Sequence, residues 1–517
     1  MAVLRKSNRW ITLFFVSILY VQCQKNPDSK TTSIVSDILN NKKSFFYIDT
    51  ENYPKQDKTL PIGVFDSGTG GLTVLDAIVQ FDQFDNNTKA WRHEGDGIKD
   101  FRKEYFIYLG DQANMPYGNY NGENKTDLLK EHIIKDVQFL LGNKYYRSGD
   151  EPTYQEDKRS VKAIVIACNT ATAYGKKDIE AFMDLSGLDM KVIGVIDAGV
   201  RTALDLFQKK EDGCIAIMAT AGTCASEGYV QTLDLMRERS NYTGDITAFQ
   251  QAGIGLAGAI DGSYAYIAPN ADTPRSDYKG PSENHPAAKI DLSILKRYGF
   301  QWDDNEMLFE GDMEAPRDIQ LNSVDNYISY HLVSLLEKIR KAHSIIKLNA
   351  IILGCTHYPF YTNILQNKLK ELYDYQEKGE FIYRPYMVKH IDWIDPALNT
   401  AKELYDYLAE CTLFNDRHLH LSEFYISVPN LLNKQVGIDA SAMFSYDYKY
   451  GRDAGIIQEY VKRVPFSKKT ISPEVIQRLS NKIPLVFDLI SHFNHSNPKT
   501  DFLVIDARIN TNSPEND

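Results

Sequence analysis

Two short segments of the chain are apolar at nearly every position, and each ends in a cysteine. The first is residues 163–168, ending in Cys168, and the second is residues 350–355, ending in Cys355. A strand that is apolar on both faces is buried within a parallel sheet, so its first polar neighbours emerge at the carboxyl edge. Open α/β sheets bind their ligands at that edge. The pattern therefore predicts two strands that each present a thiol at a ligand-binding edge.

The elements around the first cysteine recur around the second. An apolar strand at residues 62–65 leads into a glycine-rich turn at 66–71 and a helix that starts at Leu72. The segment 214–223 repeats this strand and turn, with Ala219 in the place of Asp66. The cysteine strand and the strand with its turn are thus both repeated, in the same order, which indicates gene duplication. We predict an α/β fold of two pseudo-symmetric, doubly wound domains with parallel sheets and an active site at their interface.

Shifts between apolar and polar composition suggest where the domains, insertions and linker of the chain lie. We expect domain 1 at residues 61–200 with a return segment at about 385–410, and domain 2 at 201–384 with an insertion at 262–319. Polar stretches at 80–104 and 143–160 are predicted to be further surface insertions. The polar residues 24–60 are typical of a linker. Residues 411–517 contain no motif that we can interpret and are assigned as a C-terminal extension of unknown role.

The N-terminus has the pattern of an export signal. Basic residues at positions 5, 6 and 9 precede an apolar run over residues 10–21, and Cys23 follows at once. This predicts a signal peptide at 1–23, of the lipoprotein type if Cys23 is lipidated and tethers the chain to a membrane. Gln22 is larger than the residue usual before a lipidated cysteine, so a plain signal peptide or an anchor helix stays open. The expected location is the cell envelope or periplasm, with the cytoplasm as the alternative.

Composition excludes some partners. The length of 517 residues suggests two or three domains, and 43% hydrophobic residues suffice to fill their cores. A net charge of −11 and the lack of a helix-turn-helix, zinc knuckle or arginine-rich tract argue against nucleic acid. The six cysteines form no CxxC pair and no His/Cys spacing suited to zinc, so no metal is predicted.

Five motifs in series resemble the aspartate/glutamate racemase family, with the glutamate racemases as its nearest members. The resemblance spans about residues 61–408. Its motifs are Gly63-Val64-Phe65-Asp66-Ser67-Gly68 with Gly70 to Val74, Gly110-Asp111 with Pro116-Tyr117-Gly118, Ala167-Cys168-Asn169-Thr170-Ala171, Ala219-Thr220 with Gly222-Thr223, and Gly354-Cys355-Thr356-His357.

The resemblance implies a cofactor-independent racemase that interconverts L-glutamate and D-glutamate. In the family the first cysteine acts on the D enantiomer with help from the aspartate, and the second acts on the L enantiomer with help from the histidine. Here these are Cys168 with Asp66 and Cys355 with His357. Inversion needs a base on one face of the α-carbon and an acid on the other, and a thiol of pKa ~8.5 can serve as either.

Small polar groups in the motifs are the expected substrate ligands. Hydroxyls, one amide and the turn residues 116–118 suit the ammonium and carboxylates of an amino acid, the more so at helix N-termini. The predicted ligands are Ser67, Pro116, Tyr117 and Gly118 (the last two through their backbone N–H groups), Asn169, Thr170, Thr220, Thr223 and Thr356. None of the five motifs contains a lysine for a pyridoxal Schiff base, so no cofactor is expected.

Simpler interpretations accompany each assignment. A buried strand-end cysteine is usually inert packing, a lone histidine is more often structural, and Asp66 could merely cap the helix that follows it. In the family a Cys-Pro pair and a glutamate follow the Thr-rich turn, whereas here Gln251-Ala252 and then Asp261 occur. Aspartate or another small acid is therefore an alternative substrate.

A non-catalytic envelope protein that kept the pocket is the rival of a different class. D-glutamate for peptidoglycan biosynthesis is used in the cytoplasm, so an exported racemase would be misplaced. The persistence of both thiols, Asp66 and His357 nevertheless favours an enzyme. A homodimer stays open.

Overall fold

The computed structural model describes residues 31–510 except 93, 261, 263, 313–314, 344 and 440–441. The predicted signal peptide and Cys23 lie outside the described residues, as does Asp261. In the part of the chain that the structure describes, none of the helices combines the length and apolarity that a membrane span requires.

Strands and helices alternate through most of the chain. The strands are β1 (Ile62–Asp66), β2 (Phe106–Gly110), β3 (Ala163–Ile166), β4 (Val192–Gly194), β5 (Gly213–Ala219), β6 (Ile246–Ala252), β7 (Met307–Asp312), β8 (Ala315–Leu321), β9 (Leu348–Gly354), β10 (Gln376–Glu377), β11 (Glu380–Phe381), β12 (Met387–Ile394), β13 (Glu423–Pro429) and β14 (Val461–Pro465). The α-helices are α1 (Thr31–Asn40), α2 (Leu72–Gln80), α3 (Asn119–Gly122), α4 (Thr126–Leu141), α5 (Asn169–Ser186), α6 (Val195–Asp205), α7 (Ala221–Ala225), α8 (Gly228–Arg239), α9 (Leu256–Ile260), α10 (Leu295–Tyr298), α11 (Val324–Lys341), α12 (Thr362–Asp374), α13 (Pro396–Glu410), α14 (Tyr446–Gly451), α15 (Pro473–Lys482) and α16 (Pro484–Ser496).

The first sheet has six strands in the order β14-β13-β2-β1-β3-β4. All neighbours are parallel except β14, which runs antiparallel to β13 at the edge. Every position of β1, β2 and β3 is buried, so both faces of the sheet are covered. The carboxyl ends of β1 and β3 carry Asp66 and Cys168 side by side.

The second sheet repeats the central part of the first. Its four parallel strands have the order β12-β9-β5-β6. When β5 is matched with β1 and β9 with β3, as the sequence echoes suggest, both sheets read in the same order, β2-β1-β3-β4 against β6-β5-β9-β12. The predicted α/β class with two sheet-based halves is confirmed.

The return segment at about 385–410 divides between the halves, which corrects the prediction. Its strand β12 pairs with β9 in the second sheet, where it takes the place that β4 has in the first. Its helix α13 buries Leu404 and Leu408 in the first core. The second half therefore ends after β12, because that strand completes the repeat.

Segments that we predicted to be polar connections contribute to the cores. Within the expected linker, helix α1 buries Ile34 and Ile38 against the first core. The insertion at 262–319 supplies Ile290, Tyr298 and Ile319 to the second core. The polar residues of these segments face outward, while scattered apolar side chains too sparse for a clear period face inward.

The C-terminal segment, defined here as residues 411–510, is built onto the first half. Its strands β13 and β14 extend the first sheet beyond β2, with Phe424 in register with Tyr108. Helix α16 buries Phe487, Ile490 and Phe493 in the same core. Because β13 runs parallel to β2 and pairs with it as far as Gly110, the C-terminal segment reaches the carboxyl ends of the strands, where the predicted site lies.

Candidate active site

Cys168 lies where β3 ends and α5 begins. It is the N-cap of α5, and its Sγ accepts a hydrogen bond from Ala171 N at 3.4 Å. The thiol also donates to Ser67 Oγ at 3.7 Å. With this cap, α5 starts at Asn169. The predicted ligands Asn169 and Thr170 therefore occupy the first turn of α5, where backbone N–H groups favour anions.

The side chain of Asp66 stabilises the glycine-rich turn beside Cys168. One carboxylate oxygen, Oδ2, accepts hydrogen bonds from Gly68 N at 3.1 Å and Gly71 N at 2.9 Å. A Cβ atom on Gly71 would lie 2.5 Å from Asp66 Cβ, so the turn requires glycine there. Asp66 therefore closes the turn before α2 but does not cap that helix, whose N-cap is Gly71 without a side-chain cap hydrogen bond, so the capping interpretation is wrong.

The surroundings of Cys168 hold its thiol in the protonated form. Burial, and after it the negative charge of Asp66, raise the pKa of Cys168 to about 12. The hydrogen bonds from Ala171 N and with Ser67 act in the opposite direction but are outweighed. At neutral pH the protonated form of Cys168 is therefore favoured.

Cys355 has a different neighbour. It follows β9 directly, is buried, and its Sγ forms a hydrogen bond of 3.5 Å with His357 Nδ1. In the first half the equivalent of His357 is Thr170. The equivalent of Asp66 is Ala219, which lies in register with Gly354 beside the cysteine. The two thiols therefore share a backbone setting but not their ionisable partners.

Contacts between the halves bring the two cysteine turns together. Asn169 Nδ2, one residue after Cys168, donates to the carbonyl of Gly354 at 3.3 Å, one residue before Cys355. Tyr229 OH donates to Asn169 Oδ1 at 3.1 Å and fixes the amide. This single side chain links the carboxyl edges of both sheets.

The turns that follow β2 and β5 also meet. A Cβ atom on Gly118 would lie 3.8 Å from Gly222 Cα, and the reverse approach is 3.9 Å. Thr220 caps α7 by accepting from Thr223 N at 3.2 Å, and its hydroxyl also bonds that of Thr223. The predicted ligands on both turns thus lie near one interface.

The side chain of Tyr117 is occupied within the first half, so the predicted binding of substrate through its backbone N–H stays a prediction. Its side chain is buried, and its OH lies 2.6 Å from Asp111 Oδ2 and 2.7 Å from Asp136 Oδ2. That ring points into the first half.

Two small cavities lie near the turn at 355–357, one lined by Cys355 and the other by His357. The inner cavity has a volume of about 100 Å³, and its lining includes Asn169, Cys355 and Thr356 but neither Cys168 nor Ser67. The outer cavity, of about 60 Å³, is lined in part by Thr69 and His357. Thr73 and Phe360 line both cavities.

Sequence reasoning missed several residues at this site. Asp395 lines the inner cavity and caps α13 by accepting from Ala397 N at 2.9 Å, and burial raises its pKa. The Asp-Pro pair that opens α13 was an available signal. Arg478 and Lys482 of α15 line the outer cavity, and nothing in the sequence pointed to them.

Curated relatives match a limited part of the chain. A glutamate racemase from Oceanobacillus iheyensis is 31% identical over 183 residues, which are 35% of this chain and 50% of that protein. One from Clostridium novyi is 33% identical over 181 residues, 35% of this chain and 52% of that protein. The chain thus spans about half the length of the curated relatives it matches. No family model matches it.

Solved structures are similar over a larger part of the chain at lower identity. A glutamate racemase isoform from Bacillus anthracis is 21% identical with a TM-score of 0.40, covering 71% of this chain and 87% of that one. An aspartate racemase homologue from Pyrococcus horikoshii is 12% identical with a TM-score of 0.31, covering 68% of this chain and all of that one.

Proposed function

This chain belongs to the aspartate/glutamate racemase family, and we propose that it interconverts the L and D enantiomers of an acidic amino acid without a cofactor. Glutamate is the first choice of substrate and aspartate the second. Cys168 and Cys355 are the two proton-transfer groups in this proposal. The observation that carries it is the contact of Asn169 with Gly354, which joins the two cysteine turns across the interface.

The different surroundings of Cys168 and Cys355 favour one particular protonation state of the pair before the reaction. Racemisation by two bases needs one thiolate and one thiol at the same time. The raised pKa of Cys168 keeps that group as the thiol, and Cys355, bonded to His357 Nδ1, is then the base. The Cys355 thiolate removes the α-proton of the L enantiomer, and the Cys168 thiol delivers its proton to the opposite face. The product is the D enantiomer, with the charges on the two sulfur atoms exchanged.

Small donors around the cysteines support binding of an amino acid. Thr356 lines the inner cavity, and Ser67 and Thr170 stand at the first cysteine turn. The first turn of α5 offers backbone N–H groups to a carboxylate, whose negative charge the helix N-terminus favours. Glutamate or aspartate would present two carboxylates to this set.

Solvent exchange at the α-carbon tests the proposal. The protein is incubated in D₂O with L- and D-glutamate, L- and D-aspartate and L-alanine, and the α-proton signal is followed by NMR. We expect both enantiomers of one acidic amino acid to lose the signal, and the optical activity of that amino acid to decay to zero. Binding of an acid without exchange would instead favour the non-catalytic protein, and exchange of alanine alone would exclude an acidic substrate.

A further inference from the structure

We propose that the C-terminal segment positions the two turns of the first half that face the substrate, with Lys449 and Arg452 holding the turn at 111–118 and Arg478 holding the turn at 66–71. This inference rests on the proposed function, because it assigns these residues a role in binding the substrate of that reaction. The segment lies outside the stretch that resembles the racemase family, and no motif in the sequence suggested such a role.

Lys449 and Ser427 form hydrogen bonds with the backbone of the turn at 111–118. Lys449 Nζ, on α14, donates to the carbonyl of Met115 at 2.5 Å, and Ser427 Oγ, on β13, accepts from Ala113 N at 3.0 Å. Met115 immediately precedes Pro116, the first of the three predicted ligands on this turn. Because the ammonium is half-buried, burial lowers its pKa, and its bond to the carbonyl compensates for lost hydration.

Arg452 holds the same turn through a side chain. Its Nη2 donates to Asn114 Oδ1 at 2.9 Å. The guanidinium lies over the rings of Phe444, Tyr448 and Tyr460, at 4.7, 5.0 and 4.9 Å from their centroids. Cation–π contacts with three rings order an arginine within its own segment. Asn114 is therefore bonded to a group that is itself well fixed.

A buried network of hydrogen bonds connects the turn at 111–118 to the interior of the first half. Ser427 Oγ donates to Asp111 Oδ1 at 2.6 Å, while Tyr117 OH contacts both Asp111 and Asp136. One hydroxyl has one proton, so one of these carboxyl groups must be protonated. Burial, followed by the charge of Asp111, raises the pKa of Asp136 well above its usual range, which makes Asp136 the protonated partner. Arg463 Nη2 of β14 donates to Asp136 at 3.4 Å.

The same segment reaches the turn that carries Asp66. Arg478 Nη2, on α15, donates to Thr69 Oγ1 at 3.3 Å. Thr69 lies inside the loop that Asp66 closes through its bonds to Gly68 and Gly71. Leu479 and Lys482 of α15 line the outer cavity together with His357. The segment thus touches both substrate-facing turns of the first half.

Small movements of the turn at 111–118 would change the site because this turn lies next to the turn that follows β5 in the second half. A Cβ atom on Gly118 would lie 3.8 Å from Gly222 Cα, an ordinary van der Waals distance, so the two turns are direct neighbours across the interface. A shift of about 1 Å in a binding group is enough to weaken substrate binding or orientation substantially. Loss of the Lys449 contact should therefore act on substrate binding before it acts on the chemistry of the cysteines.

The test compares Lys449→Met with Lys468→Met, a change of an exposed lysine in the same segment. For Lys449→Met we expect KM for the acidic substrate to rise about tenfold while kcat stays within about threefold. Amide hydrogen exchange over residues 111–122 should accelerate in this variant only. Lys449→Arg keeps the cation and should restore most of the wild-type KM.

Each outcome decides the inference. Equal KM and amide exchange in Lys449→Met and Lys468→Met would overturn it, as would a loss in Lys449→Arg as large as that in Lys449→Met. If Lys449→Met fails to fold, Ser427→Ala takes its place with the same expectations. If the wild-type protein racemises nothing, the proposed function fails by that result alone, and amide exchange still reports whether the segment holds the turn.

Discussion

The two halves of the molecule repeat one strand order but surround their cysteines differently. In the first half, Asp66 lies beside Cys168, and in the second the equivalent position is Ala219. In the second half, His357 bonds Cys355, and in the first the equivalent position is Thr170. The two thiols occupy matched positions, and the pKa of Cys168 is raised first by burial and then by Asp66, a charge that the second half lacks. The comparison teaches that the repeated backbone places the two thiols alike, whereas the side chains beside them differ and give the two thiols different ionisable partners.

Removal of either thiol should cause the largest loss of activity. Cys168→Ala and Cys355→Ala should each reduce racemisation by at least ~10³, about 4 kcal/mol in activation free energy, because an entire acid or base is lost. Cys411→Ala, at an exposed thiol, is the matched control. Polarimetry measures the rate. Normal turnover in either active-site variant would remove the two-base account.

The ionisable partners should act on opposite directions of the reaction. Asp66→Asn should change the primary isotope effect mainly for the D enantiomer, and His357→Asn mainly for the L enantiomer, with losses in kcat of about 10- to 100-fold. The ratio of kcat/KM in the two directions is fixed by the equilibrium, so only kcat, KM and isotope effects can separate them. Deuterated substrates provide the measurement. The same change of isotope effect in both variants would contradict the assignment.

The charge of Asp66 should also be visible in the reactivity of Cys168. It is the second cause of the raised pKa of that thiol, after burial, so Asp66→Asn should lower the pKa and increase the thiolate fraction. We expect alkylation of Cys168 by iodoacetamide at pH 8.5 to become about 3- to 10-fold faster. Mass spectrometry of the labelled peptide measures it, with Cys411 as the internal reference. A slower reaction at Cys168 would show that Asp66 favours the thiolate.

A second acid of the first half, Asp76 on α2, should affect stability. It is buried, and desolvation raises its pKa to about 6. Between the unfolded value of 3.8 and about 6 the folded state binds more protons, so its contribution to stability is present at low pH and lost as pH rises through about 6. Asp76→Asn should therefore gain about 2 kcal/mol over wild type between pH 4.5 and pH 7.5.

Urea unfolding at the two pH values measures the Asp76 effect. Asp184→Asn, at an exposed carboxylate, is the control and should show little change between them. A difference between Asp76→Asn and wild type that is independent of pH would mean that the carboxyl is already ionised below pH 4.5.

The sequence was informative where burial is continuous and turns need special residues. The strands that end at Asp66 and Cys168, and the repeat at Cys355, follow from fully apolar runs that only a covered parallel sheet accommodates. The glycine-rich turn follows from the close approach at Gly71. These features are local, so a single chain contains enough information to place them.

Long-range partners could not be predicted in the same way. Lys449 and Arg478 contact turns more than 300 residues earlier in the chain, and no spacing in the sequence relates such positions. β12 was assigned to the wrong half because its exposed and buried positions do not form an apolar run. The start of α5 has no usual sequence signal, since its cap is a cysteine rather than one of the common N-cap residues.

The central claim is that each thiol serves one face of the α-carbon, and exchange in the single-thiol variants tests it most directly. In D₂O, Cys168→Ala should still exchange the α-proton of the L enantiomer through Cys355 without inversion. Cys355→Ala should exchange that of the D enantiomer through Cys168, also without inversion, and more slowly at neutral than at high pH, because the raised pKa of Cys168 leaves little thiolate at neutral pH. NMR with chiral analysis of the products follows both reactions. Exchange of both enantiomers by one variant, or of the opposite enantiomer by each, would contradict the account.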